Sequence, residues 1–335
     1  MTTGNRILYL DIVKLFTIYL VILGHVIVMM KNGYVVGERL YSLIYSFHMP
    51  LFILLSGYFV SSKFNKTPLI SIIAKKAKQL ILPTITCAVI CLLYQFVIRD
   101  NVAIGAEIIG NSWFLKMLFV YYISFSLLKR LPFNDWILCM ASCMLLFIIP
   151  KCSFLQINLL FPYFWGGYMM RKYNVLEKIS FSWKFALLFI VLFVVLYSIQ
   201  RYWGIPNYIE INVHSLQSKL HLILFRYLVA FSGCLAAILL ISTIYKRCEK
   251  NEITSKCAKY GQWTLGVYLL QTILVVNIFP DTIAWYVKSE WLLDLIIAPL
   301  LSLVFLIVCL YLIYLISKNK TLDFLFFGGQ YNKSK

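Results

Sequence analysis

The sequence predicts an all-α integral membrane protein of about ten transmembrane helices with cytoplasmic N- and C-termini. Three observations carry that prediction. First, the 335 residues are 61% apolar, 17% aromatic and only 13% charged, with a mean hydropathy of +0.83. A soluble domain is about 45–50% apolar and about 25% charged, and a core of this size cannot hide the excess from water. Second, the apolar residues fall into ten runs, most near the roughly 20 residues that a helix needs to cross a bilayer core of about 30 Å. Third, the basic residues favour alternate loops. A soluble globular enzyme, a disordered chain and a nucleic-acid-binding domain are all poor fits, and the net charge of +18 is read as topology.

The runs are 7–30, 40–61, 80–98, 113–128, 134–150, 153–170, 184–203, 220–245, 263–279 and 291–316. The first is too long for a cleavable signal and no small-residue cleavage site follows it, so it is expected to stay as the first helix. The fifth and sixth are joined by a short turn at Pro150-Lys151-Cys152. With the N-terminus inside, and with Lys184 and Arg201 near the ends of the seventh run counted with the adjoining loops, 21 Lys and Arg fall in inner segments, 7 in outer ones and 3 (Lys14, Lys116 and Arg226) deeper within runs. That bias satisfies the positive-inside rule. Neither a linker nor an internal repeat divides the chain, so residues 1–335 read as one polytopic domain ending in a short cytoplasmic tail, 317–335. The nine cysteines include two i,i+4 pairs inside apolar runs, Cys87 with Cys91 and Cys139 with Cys143. They read as packing residues rather than a disulfide framework or a metal site.

Ionisable groups inside a span are costly and face an interior cavity. The first run holds Asp11, Lys14 and His25. At about 100° and 1.5 Å per residue they share one helical face, with Lys14 and His25 roughly 16 Å apart along the axis. Asp11 and Lys14 are an i,i+3 pair and can neutralise each other. His25 follows Gly24, which permits close approach of a neighbour, and an imidazole among Leu23, Val26 and Ile27 needs a polar partner or a function. In the second run, Pro50 frees a backbone carbonyl next to His48, which suggests a pocket wall. Ser56 lacks a G-x-S-x-G setting, and Ser56-Gly57 reads better as close helix packing. His214 and His221 flank the eighth run as candidates for an outer acceptor site, and Arg226 within it needs a partner that the sequence does not name. Trp113, Trp263, Trp285 and Trp291 fit interfacial aromatic belts.

The first two runs resemble the membrane-bound acyltransferase-3 family, in the branch grouped with bacterial fucose 4-O-acetylases. The resemblance rests on Arg6-x-x-x-x-Asp11-x-x-Lys14, Leu23-Gly24-His25, Ser46-Phe47-His48-Met49-Pro50-Leu51-Phe52 and Leu55-Ser56-Gly57-Tyr58-Phe59, densest over residues 6–83 with the motif region at 6–61. Asn111-Ser112-Trp113-Phe114-Leu115 is similar to the family's Trp-Phe-Leu element, and Thr264-Leu265-Gly266-Val267-Tyr268-Leu269-Leu270 to its late Leu-Gly-Ile-Tyr segment. There are three departures: Lys14 stands where Arg is frequent, Gln79 where a second Arg is common before the third helix, and Gln271 where the late segment usually ends in His. The last argues against a late histidine as an essential base.

The resemblance implies a multi-pass enzyme of the bacterial inner membrane. It would transfer an acyl group, commonly acetyl, from cytosolic acyl-CoA to a sugar hydroxyl of a cell-surface polysaccharide or its lipid-linked precursor. No tightly bound cofactor or metal is expected; acetyl-CoA is the donor substrate, and the partners are a glycan acceptor and the bilayer, not nucleic acid. A hydroxyl is a weak nucleophile at neutral pH and histidine is the natural base, so His25 is the candidate base or proton shuttle, with Asp11, Lys14 and His48 beside it. Arg6, Lys75, Lys76, Lys78 and Trp113 are candidates for holding the donor; Ser56, Tyr268 and Gln271 are expected around the pocket. A transporter or flippase for a lipid-linked sugar or small solute is the alternative that ten spans and a charged cleft also allow.

Overall fold

The computed structural model describes residues 7–31, 39–60, 67–98, 104–105, 110, 112–148, 157–209, 211–249, 251–282 and 290–332. Among the described residues its elements are helices, α-helical except for π-helical segments at Ala77–Ile81, Thr272–Ile278 and Leu293–Ile297. In chain order they are α1 (Leu8–Met30), α2 (Arg39–Tyr58), α3 (Leu69–Ile98), α4 (Trp113–Leu128), α5 (Asp135–Leu145), α6 (Ile157–Lys172), α7 (Val175–Ile179), α8 (Trp183–Tyr202), α9 (Val213–Ser218), α10 (Leu220–Cys248), α11 (Glu252–Tyr260), α12 (Thr264–Ile278), α13 (Leu293–Ile316) and α14 (Lys320–Phe327). Asparagine starts several of them. Asn134, Asn212, Asn251 and Asn319 each accept a hydrogen bond from a backbone N–H of the first turn, satisfying donors that a helix start leaves open.

Among the described residues, six helices are long and apolar enough to cross a membrane: α1, α2, α3, α8, α10 and α13. A seventh span is made if α11 and α12, bent 62° apart at Gly261-Gln262-Trp263, count together. Among the described residues, six of the ten expected runs, or seven with that pair, meet the length criterion. Helices α4 and α6 have 16 residues and α5 has 11, short of what a perpendicular crossing needs. A second revision concerns α3. It begins at Leu69, not at residue 80, and runs unbroken for 30 residues through a π-helical segment at Ala77–Ile81. The lysines expected in a loop before the third helix lie on it instead.

Helix α1 is the centre of the bundle and packs against α2, α10, α11, α12 and α13. Helix α2 packs most extensively on α6, where glycines bring the backbones together. A Cβ at Gly57 would sit 1.9 Å from the Phe164 carbonyl oxygen, and one at Gly167 would sit 1.8 Å from that of Leu54. Small residues at helix crossings are how membrane helices pack closely without a hydrophobic driving force between them.

Contacts between distant segments define two ends of the bundle. At the end where α1 starts, the Tyr9 hydroxyl lies 3.1 Å from that of Ser180, Arg130 donates to the Thr67 carbonyl at 2.6 Å, and Arg171 lies over Tyr58. There Asp135 pairs with Lys129 and, at 2.6 Å, with Lys172. Its hydrogen bond raises the Lys172 pKa; for Lys129 burial pulls the pKa down, but Asp135 and Tyr168 together carry it upward. At the opposite end Asn207 donates to the Ser42 carbonyl at 2.9 Å, Tyr197 to that of Arg39 at 3.2 Å, and Lys31 pairs with Asp294.

The tail, expected as a short appendage, is packed. Asp323, fully buried, accepts from the backbone N–H groups of Tyr331 and Asn332, and the Tyr331 hydroxyl accepts from the Gly266 N–H at 3.1 Å. Gly328 makes the turn in the left-handed region (φ +64°) against the Lys78 carbonyl, a conformation and a closeness that a side chain resists.

Candidate active site

Two of the hollows along the bundle bear on the site. The larger, about 260 Å³, is at the end where α1 starts. Lys14 of α1, Phe52 and Ser56 of α2, Lys76 and Gln79 of α3, Phe114 and Tyr122 of α4, and Tyr268 of α12 line it, with Gly261-Gln262 from the bend and Gln330 from the tail. The bend rests directly on α1: a Cβ at Gly261 would fall 1.9 Å from the Asp11 carbonyl oxygen. Both cavity lysines sit on aromatic faces. Lys14 Nζ is 3.0 Å from an Asp11 oxygen and 3.9 Å above the Phe59 ring, and Lys76 Nζ is 3.5 Å above Tyr122. Cation–π contact of this kind holds an ammonium in a partly desolvated place, where its attraction for an anion is less screened than in water.

The smaller hollow, about 70 Å³, is lined by Tyr45, Met49 and Pro50 of α2, Trp113 at the start of α4, Tyr163 of α6, Asn207 and Tyr208, and Arg226 of α10. Along α2 the crevice takes residues 45–50 and the cavity residues 52–59; along α4 it takes Trp113, and the cavity starts at Phe114. The hollows therefore succeed each other along the bundle, with Trp113 and Phe114, rings 6.3 Å apart and edge-on, between them. Ser112 before them is buried in the left-handed region at φ 54°, a costly conformation for a residue with a Cβ that turns the chain into α4.

Helix α1 connects the two levels. Lys14 lines the cavity, while Gly24 abuts the Tyr45 ring of the crevice, where a Cβ would come within 2.8 Å of it. His25 follows and is half-buried. Tyr45 is what gathers this layer: Gly24 abuts its ring, His48 packs on the same ring, and Arg226 donates to its carbonyl. His48 is 2% exposed, packs edge-on to Tyr45 at 4.6 Å, and its Nδ1 is 2.8 Å from the Ile44 carbonyl. A carbonyl only accepts, so Nδ1 carries the proton and Nε2 keeps its lone pair.

The structure thus brings Lys14, Ser56, Lys76 and Tyr268 into one cavity, with Asp11 paired to Lys14 at its edge. Tyr268 packs there against the Phe114 ring, centroids 5.4 Å apart. The Ser56 hydroxyl is committed to the Phe52 carbonyl at 2.8 Å, as a packing serine would be. Lys75 is exposed, and Lys78 is exposed over Phe324; neither lines the cavity. Trp113, expected on the donor side, faces the crevice instead, and its neighbour Phe114 takes the cavity position. Gln271 is fully buried beside Thr272, at the start of the π-helical segment Thr272–Ile278, and lines neither hollow. His214 and His221 are exposed and line neither. Arg6, Lys151 and Trp285 lie outside the described residues. Sequence reasoning missed Tyr45, Tyr122 and Gln330. Tyr45 stands three residues before His48, a spacing that signals a shared helical face; nothing local marks Gln330.

The acyltransferase-domain family profile matches residues 7–317. The chain belongs to the acyltransferase-3 family. Among curated proteins, this acyltransferase is 27% identical to the nodulation protein NolL of Mesorhizobium japonicum over 296 residues, covering 80% of this chain and 76% of the relative. It is also 27% identical to NolL of Sinorhizobium fredii over 297 residues, covering 80% and 78%. No solved structure matches. With its apolar spanning helices, the acyltransferase is a multi-pass membrane enzyme. Cavity and crevice both fall inside the matched residues, except Gln330 of the tail.

Proposed function

We propose that this acyltransferase moves an acetyl group from acetyl-CoA, which enters the Lys14–Lys76 cavity, to a sugar hydroxyl that approaches through the Arg226 crevice. The acceptor is a cell-surface polysaccharide or its lipid-linked precursor. The observation that carries the reading is the line along α1, from a cavity with two aromatic-seated ammonium groups to a half-buried histidine beside the crevice. The excess of basic residues at the cavity end supports a cytosolic, inner-membrane orientation by the positive-inside rule, and cytosol is where acyl-CoA is found. Lys14 and Lys76 attract the phosphates of CoA as point charges.

His25 takes the proton of the acceptor hydroxyl as its oxygen attacks the thioester carbonyl. The tetrahedral oxyanion needs a donor, for which the Tyr268 hydroxyl is the candidate. Collapse breaks the C–S bond, the imidazolium returns its proton to the CoA thiolate, and the products are the O-acetyl ester and CoA thiol. His48, its Nδ1–H spent on Ile44, supports the layer of rings around His25.

The test is the His25→Ala variant, reconstituted in nanodiscs and compared with wild type for CoA binding and acetyl-dependent thiol release, alongside mass spectrometry of envelope glycans from cells with and without the protein. Positioned base catalysis is worth about 10²–10⁴-fold. A loss of at least about 10²-fold in transfer with CoA binding retained is expected, together with loss of one acetyl mass from a glycan. Near-wild-type transfer by the variant sinks the role of His25; an unchanged glycan profile sinks the acceptor class.

A further inference from the structure

Arg226 is 2% exposed, about 9 Å along α10 from its start by helical rise, and no described carboxylate pairs with it. Its Nε donates to the Asn207 carbonyl at 2.7 Å and Nη2 to the Tyr45 carbonyl at 3.2 Å, while Nη1 is buried without a partner. Two neutral carbonyls do not offset the burial of a full positive charge, and a fork with one free arm has the geometry for an oxyanion. The crevice it lines, about 70 Å³, is several times the space one water needs and is walled by Tyr45, Trp113, Tyr163 and Tyr208. Flat aromatic walls around one placed charge make a small-molecule subsite.

We propose that the Arg226 crevice binds an anionic substituent of the acceptor, a phosphate or carboxylate carried on the glycan, and so selects charged glycans over neutral ones. The inference rests on the acyl-transfer reading for the identity of the acceptor. In that role the two carbonyl contacts orient the guanidinium, the free Nη1 completes the fork, and the anion supplies the counter-charge that the fold leaves out. Binding beside His25 then fixes which hydroxyl meets the base.

The experiment titrates the full-length protein in nanodiscs with glucose 1-phosphate, glucuronate and glucose by calorimetry, and with CoA in a separate titration. Glucose shares the ring without the charge; the phosphate and carboxylate arms separate the two sources of anion. A charge-assisted hydrogen bond in a buried site is worth about ten-fold or more in affinity. Wild type is therefore expected to prefer at least one anionic sugar over glucose by that margin, and Arg226→Gln to lose the preference while still binding CoA. Arg226→Lys keeps the charge without the fork and should fall between. Equal binding of the three sugars by wild type, or no binding of any, overturns the proposal, and so does a preference that survives in Arg226→Gln. If both variants fail to fold, the wild-type preference alone decides. Absence of CoA binding to wild type instead overturns the donor reading, so the two failures are distinguishable.

Discussion

The crossing of α2 and α6 sets up a graded test. Alanine at Gly57 puts a Cβ 1.9 Å from the Phe164 carbonyl oxygen; alanine at Gly167 puts one 1.8 Å from the Leu54 oxygen and 2.7 Å from the Tyr58 nitrogen. Real Cβ contacts essentially never fall below 3.0 Å, so the helices must part by at least about 1.1 Å in the first case and 1.2 Å in the second. The obstructing atoms are backbone, so no rotamer change relieves them. Overpacking of this kind costs about 1–3 kcal/mol, against a gain of about 1 kcal/mol in helix propensity for Gly→Ala. Because α2 carries Phe52 and Ser56 of the cavity as well as Tyr45 and His48, a shift near 1 Å also misplaces the site, and such shifts cost about 10²-fold in rate. Gly233→Ala meets only the side chains of Phe193 and Phe47, at 2.8 Å, and Gly105→Ala meets nothing within 4 Å. Thermal unfolding in nanodiscs, with acetyl-dependent thiol release as the activity readout, should rank the variants Gly57→Ala and Gly167→Ala lowest, Gly233→Ala in between and Gly105→Ala at wild type. Full activity and an unchanged melting temperature for Gly57→Ala and Gly167→Ala would refute the close crossing and, with it, the alignment of cavity and crevice.

Lys76→Gln, which empties one aromatic seat of the cavity, should raise KM for acetyl-CoA about ten-fold at modest change in kcat, consistent with loss of one charged contact, whereas Lys75→Gln on the exposed face should stay within about two-fold; steady-state kinetics separates them. Asp135→Asn leaves Lys129 and Lys172 facing each other without their anion. It should lower the melting temperature by an amount equivalent to about 1–3 kcal/mol, below the roughly 3–5 kcal/mol of a fully buried pair because the Lys172 side chain is 41% exposed and solvent screens it. Asp323→Ala removes the acceptor for the Tyr331 and Asn332 N–H groups and should cost about 1–3 kcal/mol for each buried donor left unpaired. Because Gln330 lines the cavity, that variant should also raise KM for acetyl-CoA; an unchanged KM in destabilised protein would show that the tail does not shape the donor site.

What was legible in the sequence is what lipid chemistry and local spacing dictate. Apolar content required a membrane protein, and Asp11, Lys14 and His25 had to share a face because helical rotation alone puts them there. The motif of the first two helices carried the family, which the match over residues 7–317 bears out. The length of α3 was not legible, because the lysines inside it read as a loop; on a helix their stems can lie along apolar surface and their heads reach out.

Other assignments were settled by tertiary structure alone. Of three adjacent lysines only Lys76 turns into the cavity, Trp113 and Phe114 part to different hollows, and the tail returns to place Gln330 beside Lys14's cavity. Arg226 announced a buried charge in the sequence, but the carbonyls that hold it come from residues 45 and 207, far away along the chain. The physical reason is common to all of these. In a soluble helix the polar face marks the outside, but in a membrane both the lipid-facing and the protein-facing sides are apolar. The pattern along one helix therefore fixes that it spans, while its rotation and its neighbours are fixed by where backbones can touch, as at Gly57, Gly167 and Gly261.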